Sequence, residues 1–185
     1  YNKNKLLELY NGVEEYVNST TGLKYMVGHS VTEYFLNRYA GVNPANGDAL
    51  WYTADGELTT EFREDDKVMT GKTYESPWAG GFGTTFIWKG ISLSAQFSWM
   101  AKRYVMNNDR FFEESNGIYS TYNQSKRLLY NRWKKPGDIT DIPRYDVPAQ
   151  LDDRFLENTS FLRLKNLPVA YSLPQSLLKK SNFFA

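Results

Sequence analysis

Apolar and polar side chains alternate along residues 78–103, on both sides of a two-residue turn at 89–90. Large apolar residues such as Phe86, Leu93 and Phe97 occupy every second position, and glycine, hydroxyl and amide side chains lie between them. Because successive side chains of a strand point to opposite faces, this period indicates strand and not helix. The pattern predicts a β-hairpin with one apolar face.

Two kinds of sheet could contain this hairpin. Each arm runs a little over ten residues, longer than most strands and close to what a tilted strand needs to cross a bilayer. Trp88 and Trp99 lie near the strand ends, where transmembrane barrels collect aromatics. A half-buried hairpin of a soluble antiparallel sheet would alternate in the same way. The hairpin alone leaves both alternatives open.

The connections favour the barrel. The turn at 89–90 is short, whereas residues 43–77 and 104–160 are long and rich in turn-forming residues. Outer-membrane barrels have short periplasmic turns and long extracellular loops. We therefore predict an all-β fold, with antiparallel strands of a transmembrane barrel and long extracellular loops.

Alternation returns near residues 29–40 and 161–173, which we predict as strands. Pro168 has no backbone donor, so we expect it at an edge, a bulge or a strand end. Residues 1–28 suit either a short helix or a covering loop. Their turn-forming pairs are Asn11–Gly12 and Thr21–Gly22.

The composition excludes several functions. Aromatics make up 16% of the 185 residues, as expected of strands that alternate polar and aromatic side chains. The formal net charge of +1 gives no attraction toward nucleic acid or anionic lipid. No apolar run approaches the length of a membrane helix, so any membrane span must be a strand. The absence of cysteine excludes disulfides and thiolate metal sites.

Four segments of the chain match blocks of one known family. Residues 38–47 contain Ala-Gly-Val-Asn-Pro, and residues 80–93 contain Gly-Gly-Phe and Trp-Lys-Gly. Residues 131–144 contain Asn-Arg-Trp and Ile-Pro-Arg, and residues 154–174 contain Ser-Phe-Leu-Arg-Leu-Lys-Asn. In this order and spacing they resemble the later barrel of the SusC/RagA family of TonB-dependent outer-membrane transporters.

Two residues depart from the family pattern: Asn43 replaces Asp, and Trp88 replaces Tyr. Asn suits the same turn but removes a charge that could bind a cation or cap a loop amide. The chain has no initiating Met and no secretory segment, so we expect residues 1–185 to be a segment of the family's barrel domain, an incomplete barrel without the plug domain and closing strands. Unpaired strand edges would then require the remainder of its own barrel.

The resemblance implies import of large nutrients, either oligosaccharide fragments of glycans or peptides, across the outer membrane of a Gram-negative bacterium. It implies a SusD-like surface lipoprotein as partner, TonB acting through an N-terminal region outside this sequence, and outer-membrane lipid around the wall. It implies no cofactor, no nucleic-acid partner and no enzyme activity. The residues alone leave open a soluble all-β module that binds carbohydrate or peptide.

Aromatic residues of the long loops are the candidates for substrate or lid contact, because sugars stack on aromatic faces and interfaces favour aromatics. Alternatively, they pack the loops against one another. These residues are Trp51, Tyr52, Tyr130, Trp133 and Tyr145.

A barrel wall would give each alternating residue a side. The predicted lipid-facing residues are Phe86, Trp88, Ile91, Leu93, Phe97 and Trp99. The predicted lumen-facing residues are Ser92, Ser94, Gln96, Arg163 and Lys165. The two cations could pair with plug carboxylates or be hydrated at the inner wall.

Signals for catalysis and for metal binding are weak. The single histidine, His29, stands beside Ser30 without a nucleophile-elbow motif. The acidic patch at residues 61–66 lacks the spacing of a calcium loop, so a solvated face is the better interpretation. We predict no catalytic residue, no metal and no cofactor.

Overall fold

The structure is a computed structural model that describes residues 1–18, 23–119 and 121–174. The predicted turn at Thr21–Gly22 lies outside the described residues. The strands are β1 (Glu15–Val17), β2 (Lys24–Met26), β3 (Glu33–Leu36), β4 (Arg38–Val42), β5 (Ala49–Tyr52), β6 (Leu58–Thr59), β7 (Val68–Thr73), β8 (Trp78–Trp88), β9 (Ile91–Ala101), β10 (Tyr104–Met106), β11 (Leu156–Asn158), β12 (Phe161–Asn166) and β13 (Val169–Tyr171). The helices are α1 (Asn108–Glu113) and α2 (Lys126–Tyr130), with 3-10 turns at Tyr10–Gly12, Glu64–Asp66 and Asp153–Phe155.

The chain divides into two compact units. The first unit, which we call the strand sheet, comprises residues 1–2, 76–102 and, within the described part of the chain, 160–174. The loop body consists of Lys3–Glu75 and Arg103–Thr159. None of the helices in the described part of the chain has the length and apolar content that crossing a bilayer requires.

The strand sheet is built on the predicted hairpin. β8 and β9 pair antiparallel along their whole length, from Trp78 opposite Ala101 to Trp88 opposite Ile91. The turn has positive φ at both Lys89 (45°) and Gly90 (86°), and such a turn matches the twist of the strands it joins. On its other edge β9 pairs with β12 and β13, which gives a four-stranded antiparallel sheet. The predicted all-β antiparallel fold is confirmed, and the described strands do not close into a barrel.

The register separates the two faces as the alternation predicts. Phe82 lies opposite Phe97, and their rings stack with centroids 4.9 Å apart. On the other face the hydroxyl oxygens of Thr85 and Ser94 are 2.8 Å apart, within hydrogen-bonding distance. The six predicted lipid-facing residues therefore share one face, and Ser92, Ser94 and Gln96 share the opposite one. Which face meets lipid stays a prediction.

The last strands correct one residue of this scheme. Arg163 lies opposite Ser98, on the polar face as predicted. The register shifts between Leu164 and Asn166, so Lys165 is an extra residue and strict alternation does not assign it a face. Pro168 lies between β12 and β13, at the predicted strand end, and its carbonyl accepts a hydrogen bond of 3.0 Å from the Ser94 amide.

The loop body is more ordered than the sequence predicts. The segment near residues 29–40 forms two strands of different sheets, because β3 pairs with β7 whereas β4 pairs with β5. The division falls at Asn37, a fully buried residue whose side-chain amide donates to the Arg63 carbonyl at 2.6 Å. The stretches predicted as loops, 43–77 and 104–160, contain short strands and both helices.

The described part of residues 1–28 contains no α-helix, and residues 1–9 form no regular secondary structure. The same described part contains a 3-10 turn at Tyr10–Gly12 and a small hairpin in which β1 pairs with β2. The predicted turn at Asn11–Gly12 is confirmed, and both residues have positive φ.

Candidate functional site

A buried polar cluster anchors the loop body. Asp152 is fully buried, and its Oδ2 accepts a hydrogen bond of 2.8 Å from Trp51 Nε1. Its Oδ1 lies 3.1 Å from the backbone N and from Nε of Arg154, and only the backbone N donates with hydrogen-bond geometry. The Arg154 guanidinium lies 4.2 Å from the ring centroid of Tyr39. The cluster joins β4 and β5 to the 3-10 turn before β11.

Burial shifts two pKa values in this cluster. Desolvation raises the pKa of Asp152, and the Arg154 charge opposes that rise. Desolvation also raises the pKa of Tyr39 to about 12, opposed by Arg154 and reinforced by Asp152. Neither titrating group lines the two clefts described below, so we assign the cluster a structural role.

Four charged side chains connect the two helices of the loop body. Glu114, just after α1, is buried and accepts hydrogen bonds from Arg110 Nε at 3.1 Å and from Arg127 Nη1. Asp141 Oδ2 accepts from Arg127 Nη2 at 2.5 Å. Burial lowers the pKa of Arg127, but its hydrogen bonds to Asp141 and Glu114 outweigh burial and leave that pKa above its ordinary value. The network fixes α2 against α1 and residue 141.

The turn at residues 43–47 determines where Trp133 lies. Asn43 Oδ1 accepts from the Ala45 amide at 3.0 Å, so the side chain caps a loop amide although it carries no charge. Trp133 Nε1 donates to the Pro44 carbonyl at 3.2 Å. Its ring lies against Gly47, where an added Cβ would be 2.4 Å from Trp133 Cε3. Only glycine fits at that position.

Trp133 and Tyr145 line one open cleft of about 790 Å³, which we call the basic cleft. The Arg132 guanidinium lies 5.0 Å from the ring centroid of Tyr145. Leu128 is buried, whereas Leu129 is 64% exposed. The remaining lining residues are Gly117, Gln124, Ser125, Lys126 and Lys134. Among the described residues, the lining thus combines aromatic, aliphatic and cationic side chains and contains no carboxylate.

A second cleft of about 740 Å³ adjoins the first and contains Tyr130, which is 71% exposed. Arg132 and Lys134 line both clefts. The second cleft also contains the carboxylates Asp138 and Asp141, so its charge is mixed. Three of the five predicted contact aromatics therefore lie in neighbouring clefts.

The other two candidate aromatics lie elsewhere. Trp51 is 3% exposed and is one of the residues that border a cleft of about 340 Å³. Asp152 and the neighbouring rings of Tyr39 and Phe62 contact it, which favours the alternative that Trp51 packs the loops against one another. Tyr52 is partly exposed, with the Arg38 guanidinium 5.5 Å from its ring centroid, and lines neither of the two larger clefts.

The weaker chemical candidates have structural partners. His29 Nδ1 lies 3.0 Å from Glu33 Oε2, just before β3. In the acidic patch, Glu61 pairs with Arg63 and Glu64 with Lys67, as in a solvated face. Asp66 departs from that prediction because it is buried and accepts from a backbone amide.

Comparisons with known proteins found receptors and solved structures similar to this chain. No family model matches it. TonB-dependent receptor P3 of Formosa agariphila is 25% identical over an alignment of 200 residues. This alignment covers 97% of this chain and 20% of the receptor. TonB-dependent receptor P39 of the same organism is 25% identical over 149 residues, covering 74% of this chain and 13% of the receptor.

Solved structures are more similar. The RagAB peptide importer in the open-open state matches with 35% identity and a TM-score of 0.84, over 97% of this chain and 20% of that chain. Its closed-closed state matches with 34% identity and a TM-score of 0.83, over the same shares. This chain is a SusC/RagA-type segment. The SusC/RagA-type segment spans about a fifth or less of the length of these relatives. The relatives are named receptors and importers, and none of those reported above is named as an enzyme.

The sequence-based list of contact residues for this SusC/RagA-type segment missed the cations of the basic cleft. Lys126, Arg132 and Lys134 line the cleft beside the predicted aromatics. Residues 126–135 read KRLLYNRWKK and contain no acidic residue. This local run of positive charge, interrupted by aromatics, could have indicated a basic surface. The net charge of the whole chain is +1 and does not reveal it.

Proposed function

We propose that this SusC/RagA-type segment forms barrel wall and extracellular loops of a TonB-dependent transporter that imports large nutrients across the outer membrane. One observation carries the proposal: the strand sheet presents a continuous apolar face that is exposed. Trp88, Leu93, Leu162 and Val169 all lie on this face and are each at least 39% exposed. Exposed apolar surface of this extent marks contact with lipid or with another protein layer.

Pairing in the strand sheet supports lipid as the neighbour of that face. The sheet is antiparallel throughout, and Trp78 and Trp88 stand at the two ends of β8. The opposite face of the hairpin carries mainly Thr, Ser, Gln and Gly, with Ala79, Ile87 and Met100 as its apolar residues. Alternation of this kind, with aromatics at both borders, is the pattern of outer-membrane strands. A soluble binding module would need a second layer over the apolar face, whereas Leu162 and Val169 on that face are 65% and 68% exposed.

Similarity to the RagAB peptide importer supports peptides as the nutrient, since that relative is the one with the higher identity. A SusD-like lipoprotein is the proposed lid partner. Oligosaccharide is the second candidate, because exposed loop aromatics such as Tyr130 and Tyr145 offer faces on which sugars stack.

The test uses the full-length protein in its own cells. Uptake of labelled peptides and of labelled oligosaccharides is compared between cells with the gene, cells without it, and cells without TonB. We expect peptide uptake to require both the gene and TonB. Unchanged uptake of both nutrient classes after loss of the gene would refute the import function.

A separate biochemical test addresses the membrane assignment. The full-length protein should require detergent and migrate faster on a gel before heating than after it. Trp99 fluorescence should be quenched by lipids brominated on their acyl chains. A protein that is monodisperse without detergent and unquenched would contradict the wall assignment.

A further inference from the structure

We propose that the basic cleft binds acidic peptides, through carboxylate side chains of the peptide that lie beside its apolar side chains. This inference rests on the proposed import function and names its substrate class more closely. It is carried by the composition of the cleft lining and by the pairing of its charges.

The charge of the cleft is one-sided. Lys126, Arg132 and Lys134 line it, and none of its lining residues is acidic. Several other cations of the loop body pair with carboxylates, as Arg127 does with Glu114 and Asp141. Among the described residues, no ion pair joins any of the three lining cations to a carboxylate. A cleft lined by one sign of charge concentrates ligands of the opposite sign.

Arg132 is the best placed of the three cations. Its guanidinium lies over Tyr145 and it is partly buried, so it is held more rigidly than a surface lysine. The planar guanidinium group has the geometry to donate to both oxygens of a carboxylate.

The apolar part of the cleft favours a peptide over a glycan as the source of the carboxylate. Leu128 and Leu129 line it beside Trp133 and Tyr145. Aliphatic side chains cannot hydrogen-bond to the hydroxyls of a sugar ring. The same aliphatic side chains pack well against the apolar side chains of a peptide. The adjoining cleft, which contains Asp138 and Asp141, lacks this one-sided charge.

The experiment measures binding to the full-length transporter purified in detergent. The probes are a fluorescent peptide in which Glu alternates with Leu, and the same peptide with Gln at each Glu position. An oligogalacturonate serves as an anionic glycan competitor. The test variant is Lys126→Gln with Lys134→Gln, since both lysines are exposed and unpaired. The control, Lys3→Gln with Lys5→Gln, removes the same charge at exposed positions outside both clefts.

We expect the native protein to bind the Glu peptide more tightly than the Gln peptide. The test variant should bind the Glu peptide about twofold to thirtyfold more weakly, and the control variant should bind it normally. High salt should reduce the difference between the two peptides, because the two lysines are exposed and salt screens exposed charges.

Two results would overturn the inference. The first is a preference for the Glu peptide that is undiminished in the test variant, which would place the acidic site elsewhere, since Arg132 alone retains only part of the charge of the cleft. The second is displacement of the peptide by oligogalacturonate at lower concentration than by unlabelled Glu peptide, which would assign the cleft to glycans. Failure of the import function itself is a distinct result, because cells would then take up neither the Glu nor the Gln peptide in a gene-dependent way.

Discussion

Replacing Gly47 by Ala tests whether the turn at residues 43–47 sets the position of Trp133. Gly47 has φ +80°, so an alanine there costs about 1–2 kcal/mol of backbone strain. Its Cβ would also lie 2.4 Å from Trp133 Cε3 and 3.0 Å from Arg144 Cβ. Overpacking of this kind costs a further ~1–3 kcal/mol.

Gly56→Ala is the matched control. Gly56 has φ +93°, and an added Cβ would meet nothing within 4 Å. It therefore carries a similar backbone strain without the collision. The difference between the two variants isolates the contact with Trp133.

Hydrogen exchange in the folded full-length protein measures the effect locally. The reporting amides are those of Trp133, which donates to the Ile142 carbonyl at 3.0 Å, and of Arg144, which donates to the Gly47 carbonyl at 3.0 Å. An excess cost of ~1–3 kcal/mol in Gly47→Ala corresponds to exchange about 5- to 150-fold faster at these amides than in the control. Equal exchange at both amides in the two variants would refute the packing argument.

Three further predictions concern other parts of the molecule. Trp51→Phe removes one hydrogen bond from the buried Asp152 carboxylate and should lower loop-body stability by about 1.5–3 kcal/mol, measured as lost exchange protection; unchanged protection would contradict this role. The folded state raises the pKa of Tyr39 from 10.0 to about 12. The neutral Tyr39 side chain therefore contributes fully to stability below pH 10, and this contribution is lost as the pH rises toward 12, because the unfolded chain ionises first. An ultraviolet titration of the native protein against Tyr39→Phe should show one tyrosine ionising near the upper value, and ionisation near pH 10 would disprove the effect of burial. On β9, Leu93→Arg should cost about 2–4 kcal/mol of folding into lipid vesicles if it faces the middle of the bilayer, and Ser94→Arg far less; equal costs would contradict the assignment of faces.

Most of the strand sheet could be predicted from the sequence because its pattern is local. Alternation with a period of two residues fixed the hairpin, and Lys89–Gly90 fixed its turn. The exception is Lys165, where one extra residue shifts the register without any change in the alternation of residue types.

The loop body was less predictable because its strands are short and depend on distant partners. The pattern near residues 29–40 indicated one strand, but β3 pairs with β7 and β4 pairs with β5, with the buried Asn37 between them. Aromatic residue type alone could not separate the buried Trp51 from the exposed Tyr130. That distinction requires knowing which residues pack around each ring.

The sequence by itself determined the antiparallel hairpin, its two faces and the resemblance to the SusC/RagA family. Only the tertiary structure showed that Trp51 donates a hydrogen bond to Asp152, 101 residues away. It also showed that the Trp133 ring packs against Gly47. The physical reason is the range of the interactions. Strand periodicity acts between neighbours in the chain, whereas burial and clefts arise from residues that only folding brings together.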